Sequence, residues 1–384
     1  MVLFLHNRYR TTGGEERAVE DLMSVVRDEL GEPVQLLCRD SAETSPARAA
    51  AGLLGGGLKP SEVAAAVQRE GARIVHAHNL LPTFGWRALA RARAAGAAVV
   101  LHLHQYRLVC AVGVCFTSGE ECTRCHGRNT LPGVVHNCRA SRTEAIAYAA
   151  SLAIWQRRIA ALADVIVVPS RFAAQRLAEL GAPLPADRVQ VLAPPIAAHA
   201  SPPGPAAASG AGAYALVVSR LAPEKGVDVA IDACRLAGLP LWIAGDGPQR
   251  ESLMARAAGG EVRFLGALAP AELEPLRAGA SIALVPSRSA ETFGIAAAEA
   301  MAAGVPVAAS RIGALPELLD GDALVEPGDP NALAAAIGRL AGSREAAERG
   351  RERVAALCSP HAVSVRLQAI YDRALVTRGG AVDP

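Results

Sequence analysis

Short runs of β-branched and aliphatic residues alternate with longer, helix-like segments almost from one end of the chain to the other. That alternation predicts βαβ units around parallel sheets, and so an α/β fold. The first half offers Val2–His6, Val34–Arg39, Ile74–Asn79, Val99–His104, Val165–Ser170 and Val189–Ala193 as strands. Several are solid apolar runs, as expected of strands buried on both faces. The rhythm stops at His199–Gly212, HASPPGPAAASGAG, where Pro, Gly, Ser and Ala replace every periodic signal and a linker is expected. It restarts with Tyr214–Leu221, Leu241–Gly245, Val262–Gly266, Ile282–Pro286, Val305–Ser310 and Ala323–Val325. A last segment, from Pro360 to about Arg378, has no strand after it and could pack on either half.

The pattern therefore predicts a first domain over 1–198 with a cysteine-rich loop at 106–142, a linker over 199–212, a second domain over 213–359, and a terminal helix within 360–384. Two Rossmann-like, doubly wound domains would present the carboxyl ends of their sheets to a shared central cleft, where open α/β sheets bind ligands. Functional residues are accordingly expected just after strands.

Composition adds limits. A chain of 384 residues with 51% hydrophobic and 20% charged residues has enough apolar material for two separate cores. Thirty-nine basic against 37 acidic residues leave a formal charge of +2, and aromatics make up 4%, which argues against a nucleic-acid binder. Any anionic ligand must be met locally. The start MVLFLHN reads as a strand and not a signal peptide, and the longest uncharged stretch is broken by prolines, so a cytoplasmic protein is expected.

After the strand SIALVPS comes S289-A-E-T-F-G-I-A-A-A-E-A-M-A-A-G304. If this is one helix, Glu291 stands at its start and Glu299 about two turns on, roughly 80° around the axis. Thr292, Phe293, Gly294 and Ile295 would form a first turn whose free N–H groups suit a phosphate. Glu299, embedded among alanines, is a candidate buried acceptor for a sugar or ribose hydroxyl. Read in isolation, the same acids are a dipole-favoured N-terminal residue and a solvated helix residue. Arg220 and Lys225, in V217-V-S-R-L-A-P-E-K-G226, lie just past the first strand of the second half, where fixed cations would meet an anionic ligand. Asp320-Gly-Asp322 reads as a turn before the last strand.

In that order and spacing, SRLAPEKG, IAGDGP, RFLGAL, PSRSAETFGIAAAEAMAAGVPVAAS and GALPELL resemble the donor domain of the retaining glycosyltransferases of family 4, which have the two-domain GT-B fold. The resemblance implies that Arg220 and Lys225 hold the diphosphate of a nucleoside-diphosphate sugar. It implies that the Phe293–Ile295 backbone touches phosphate or sugar, with Thr292 beside it on the donor side, that Glu291 binds donor-sugar hydroxyls, and that Glu299 binds the ribose. In the first half, N7-R-Y-R-T-T-G-G-E-E16 resembles the family's glycine-rich loop, with Gly13 and Gly14 near the donor phosphate. His104 matches a family position usually followed by Asp; here Gln105 follows, which leaves the orientation of the imidazole open. His78, Tyr106 and Arg107 are acceptor-side candidates. The implied reaction moves a sugar, with retention, to a glycan, lipid-linked or natural-product acceptor. Its leaving diphosphate would be stabilised by Arg220, Lys225 and a helix N-terminus without a metal cofactor. A lipid acceptor would bring peripheral membrane contact. The competing reading is a GT-B-fold nucleotide-sugar epimerase or phosphorylase.

Five of the eight cysteines fall between Cys110 and Cys138. A loop that long inside a compact domain usually has a function or a staple. Cys122-x2-Cys125 suits zinc, and Cys110 and Cys138 could complete four thiolates, with His126 or His136 as substitutes and Cys115 as an extra. Disulfides and free thiols remain the other possibilities. Arg124, Arg128, Arg139 and Arg142 nearby are either solvated or serve an anionic acceptor.

Overall fold

A computed structural model describes residues 1–9, 14–196 and 213–380. Gly13 and the expected linker 199–212 lie outside the described residues. The chain divides into two compact units, one of Met1–Thr117, Cys122–Pro195 and Pro360–Pro384, the other of Ser118–Glu121 and Ile196–Ser359.

Each unit is built on a six-stranded sheet, parallel throughout. The first contains β1 (Val2–Arg8), β2 (Val34–Asp40), β3 (Ile74–Ala77) and β4 (Ala98–His102). Two short strands follow, β5 (Phe116–Thr117) and β6 (Glu120–Glu121), before the sheet resumes with β7 (Val165–Val168) and β8 (Val189–Val191). Its order is β2-β1-β3-β4-β7-β8. The second contains β9 (Ala215–Val218), β10 (Leu241–Ala244), β11 (Val262–Gly266), β12 (Ile282–Val285), β13 (Val307–Ser310) and β14 (Leu324–Val325). Its order, β11-β10-β9-β12-β13-β14, is the doubly wound one in which winding reverses beside the first strand.

The apolar strands are buried on both faces for a visible reason. Leu3, Leu5, Val75, Ala77, Val99, Leu101 and Ile166 join one core cluster with residues of the helices Ser61–Glu70 and Gly85–Ala94. The alternate residues along the same strands, Val2, Phe4, Ile74, Ala98, Val100, Val165 and Val167, face the other way and join a second cluster. That second cluster is closed by the helix Gly14–Asp28 and by the terminal helix Pro360–Gly380, which contributes Val363, Leu367, Ile370, Tyr371 and Ala374. The last segment of the chain is thus part of the first unit's core, and it covers sheet residues nearly three hundred positions earlier in sequence.

Leu367 has no solvent exposure. Leu367→Ala is expected to cost about 2–5 kcal/mol of stability, as for other buried leucine truncations, read as a lower denaturant midpoint of the first unit's unfolding transition.

Candidate functional site

In the second unit the winding reverses between β9 and β12, and the segments leaving the carboxyl ends of those two strands carry the charged residues. Lys225 closes a single 3-10 turn, Pro223–Lys225, after β9. Its Nζ donates to Glu291 Oε1 at 2.7 Å, and Ser287 Oγ donates to the same oxygen at 2.6 Å. Burial pushes the Glu291 carboxyl up, but the Lys225 charge and the hydrogen bonds from Lys225 and Ser287 outweigh it and hold the group below its ordinary value, ionised. Arg220 is 54% exposed and ion-pairs with the buried Glu224. The Glu224 carbonyl in turn accepts the Arg288 and Ser289 N–H groups at 2.8 and 3.3 Å, which ties the two loops together. Arg288 and Asp228 add a bidentate pair at 2.8 and 2.7 Å.

The expected helix start is corrected here. The helix runs Ile295–Ala302, and its N-cap is Gly294 at φ 100°, a left-handed conformation that no right-handed turn contains. Glu291, Thr292 and Phe293 precede the helix, so the 80° relation between Glu291 and Glu299 does not apply, and only Ile295 belongs to the first turn. Glu291 is placed from its backbone: its carbonyl accepts the Ala314 N–H at 2.9 Å, and a Cβ on Gly313 would fall 2.3 Å from its nitrogen. The GALPELL segment is therefore the floor under Glu291. Glu299 is largely covered, its side chain 12% exposed, and ion-paired with Arg277, itself 7% exposed, so the solvated reading of this residue fails. Asp320 precedes and Asp322 lies within a 3-10 turn, Gly321–Ala323; Arg349 pairs with both acids and Arg353 with Asp320.

In the first unit, His76 stands on β3 and His102 ends β4, with His78 and His104 two residues further along each. Alternation puts all four rings on one side, stacked: His102 on His104 at 4.2 Å between centroids, His76 on His78 at 4.5 Å, His78 on His104 at 5.1 Å. Tyr371 OH meets His76 Nδ1 at 2.9 Å, and His78 Nδ1 meets His104 Nε2 at 2.8 Å. His104 is therefore hydrogen-bonded to His78. Gln105 instead accepts from Arg107 and donates to Glu15 Oε2. The carboxylate of Glu15 also accepts from Tyr9 OH at 2.6 Å, and Arg107 lies over the Tyr9 ring.

Three acceptor-side assignments change as a result. Tyr106, 1% exposed, belongs to an apolar cluster with Val109 and Val168, and Arg107 is spent on Gln105, Val112 and Tyr9. His78 is buried beneath His104. Gly14 is the first residue of the helix Gly14–Asp28. The Tyr9 N–H also donates to Glu16 Oε1 at 3.1 Å, and sequence reasoning does not single out Glu15, Glu16 or Tyr9; the available signal is two acids at a helix start directly after a glycine pair. The ligand atoms of His76, His78 and His102 lie within 4.8 Å of one another. A metal must lie in the plane of each imidazole it binds, and these rings are stacked at interplanar angles of 15–29°, so they do not converge on a common ion.

Comparison with known proteins agrees with this architecture. The family profile described as "Glycosyl transferases group 1" matches residues 212–343, and that described as "Glycosyl transferase 4-like domain" matches residues 13–195. An MMP α-(1→4)-mannosyltransferase from Mycolicibacterium hassiacum is 40% identical over 116 residues, 28% of each chain. A D-inositol 3-phosphate glycosyltransferase from Acidothermus cellulolyticus is 31% identical over 218 residues, 48% of each chain. The matched stretch thus spans less than half the length of either relative. Among solved structures, sucrose-phosphate synthase from Thermosynechococcus elongatus superposes with a TM-score of 0.71 at 20% identity, covering 98% of this chain and 99% of that one. HepE from Anabaena, in complex with UDP, gives 0.67 at 18%, covering 97% and 99%. The fold is GT-B. The chain belongs to the group 1 glycosyltransferases of family 4. Among the described residues no helix is long and apolar enough to cross a membrane.

Burial drives His76 down to about 3, with His104 adding to the effect, and His104 down to about 4 against the opposing charge of Glu16. His78 and His102 also fall well below the ordinary value through burial. The folded chain therefore binds fewer protons than the unfolded one at mildly acid pH. Stability from these groups is fully present above about pH 6.5 and is lost as pH falls toward about 4. We expect the calorimetric Tm to fall between pH 7 and 5, and to fall less in His102→Leu; equal slopes would contradict this.

Proposed function

We propose that the protein is a retaining glycosyltransferase that takes a sugar from a nucleoside-diphosphate donor and passes it to a hydroxyl-bearing acceptor. The single observation that carries this reading is the Lys225–Glu291–Ser287 cluster at the reversal point of the second sheet. A cation and an ionised carboxylate side by side answer the two halves of such a donor. Lys225, with Arg220, would meet the diphosphate, and Glu291 would accept hydrogen bonds from sugar hydroxyls. The complexes of HepE with UDP and UDP-glucose support a nucleotide-sugar donor. Glu299, fixed by Arg277, is assigned to the ribose, and the Gly294–Ile295 backbone to phosphate or sugar.

Charge builds on the leaving diphosphate in the transition state, and groups already in place stabilise it without reorganisation. Preplaced protein cations offset that charge, so no metal cofactor is invoked. His104, fixed by His78 and kept neutral, is assigned to the donor sugar or the acceptor. Retention is attributed to entry of the acceptor on the leaving-group face.

Lys225→Ala and Arg220→Ala should each lower turnover at least about tenfold, in line with the roughly 3 kcal/mol typical of a charge-stabilising donor, while circular dichroism stays that of the parent. The measurement is nucleoside-diphosphate release from UDP-, GDP-, ADP- and dTDP-sugars with and without acceptor. Rates near the parent's in either variant, or release independent of acceptor, would sink the assignment.

A further inference from the structure

The loop between β4 and the helix Arg142–Ala161 has little regular structure: the two-residue strands β5 and β6, one short helix, Leu131–Val135, and irregular backbone. Four of its non-glycine residues, Cys115, Ser118, Asn137 and Ala140, have positive φ. Local propensity does not account for its order. Yet all five loop cysteines line one small cavity, Cys110 and Cys115 from its beginning, Cys122 and Cys125 from its middle, Cys138 from its end.

That cavity measures about 20 Å³, room for one water-sized occupant. The remaining lining is largely apolar, including Ala111, Val112, Phe116, Pro132 and Leu180, which offer a water few partners. All eight cysteines are unbridged. Soft sulfur donors lining one cavity from three parts of a loop with little regular structure suit a thiophilic cation.

We propose that this loop is stapled by one zinc ion bound by Cys110, Cys122, Cys125 and Cys138. Binding exchanges four S–H bonds for four zinc–sulfur bonds and releases four protons, leaving a site of net charge −2. The surroundings fit that charge. The Gly113 N–H donates to Cys110 Sγ at 3.4 Å, and Arg124 Nη1 lies 3.6 Å from Cys122 Sγ. Cys115 is 1% exposed, sits in the apolar cluster of Tyr106 and Leu177, and hydrogen-bonds Cys110. Its role is that of a neutral S–H donor to the Cys110 sulfur, outside the four ligands. The site is independent of the transferase reading, since it would fold the loop whatever the chain catalyses.

The test is metal analysis of the full chain, expressed with zinc available and purified without chelator. About one equivalent of zinc is expected, released when a mercurial blocks the thiols and detected by a chromogenic chelator. Replacement with Co²⁺ should give thiolate-to-cobalt charge transfer and the visible bands of tetrahedral coordination. Cys122→Ser and Cys125→Ser should lose the metal; Cys115→Ser and Cys38→Ser should keep it. Zinc well under half an equivalent in the parent, octahedral cobalt bands, or a non-reduced mass showing bridged cysteines would overturn the proposal. Because the parent's metal content and cobalt spectrum need no variant, a misfolded substitution leaves the test intact.

Discussion

An ionised carboxylate kept next to a lysine at the mouth of a sheet is the constraint on which the second unit depends. Lys225 leaves β9 and Glu291 leaves β12, and a doubly wound sheet reverses direction between those two strands. Such a reversal point is where open α/β sheets bind ligands, and the ion pair bridges the two loops there with side chains that are 28% and 17% exposed. The surrounding contacts serve that placement. Glu224 ties the β9 loop to the β12 loop through backbone hydrogen bonds, Arg288 and Asp228 repeat the tie, and Gly313 and Ala314 support Glu291 from below. A formal charge of +2 over the whole chain is consistent with this economy, because two or three fixed cations in a crevice concentrate field where a surface excess would spread it.

The second half was the more legible in sequence. Its strands are apolar runs buried on both faces, so periodicity and burial pointed the same way, and the motifs sit at strand ends as the winding rule requires. What the sequence concealed was a single backbone choice. Ala-rich sequence after Glu291 carries strong helix propensity, yet Gly294 takes a left-handed conformation and delays the helix to Ile295. One glycine therefore separates an acid on a helix from an acid on a loop, and propensity summed over the window favours the former. Arg277 was equally hidden: it lies in the last turn of Pro270–Gly279, where a basic residue is ordinarily explained by the helix dipole, and only packing brings it to Glu299.

In the first half, legibility stopped at the strand ends. Alternation correctly placed His76 with His78 and His102 with His104, but pairing across strands decides what those imidazoles do, and pairing is set by register. Parallel β3 and β4 put His76 opposite Val100, so the four rings interleave into one stack and His78 reaches His104. His78, two places along from His76, thus meets His104 across the strands. Tyr106 shows the converse: a tyrosine directly after a proposed site residue looks available, while the turn that follows β4 folds its ring into the core.

The terminal helix explains how that histidine row can exist at all. A buried imidazole stack is costly unless its polar edges find partners. Tyr371 supplies one, from a helix whose Val363, Leu367, Ile370 and Ala374 join the same cluster as residues of β1, β3, β4 and β7. The same helix therefore seals the sheet face and satisfies the inner end of the row, leaving His104 at the end nearest the strand termini. Part of the first unit's stability and the uncharged state of His76 consequently rest on the same packing event: expose that face to water and the burial that holds this imidazole uncharged disappears with it.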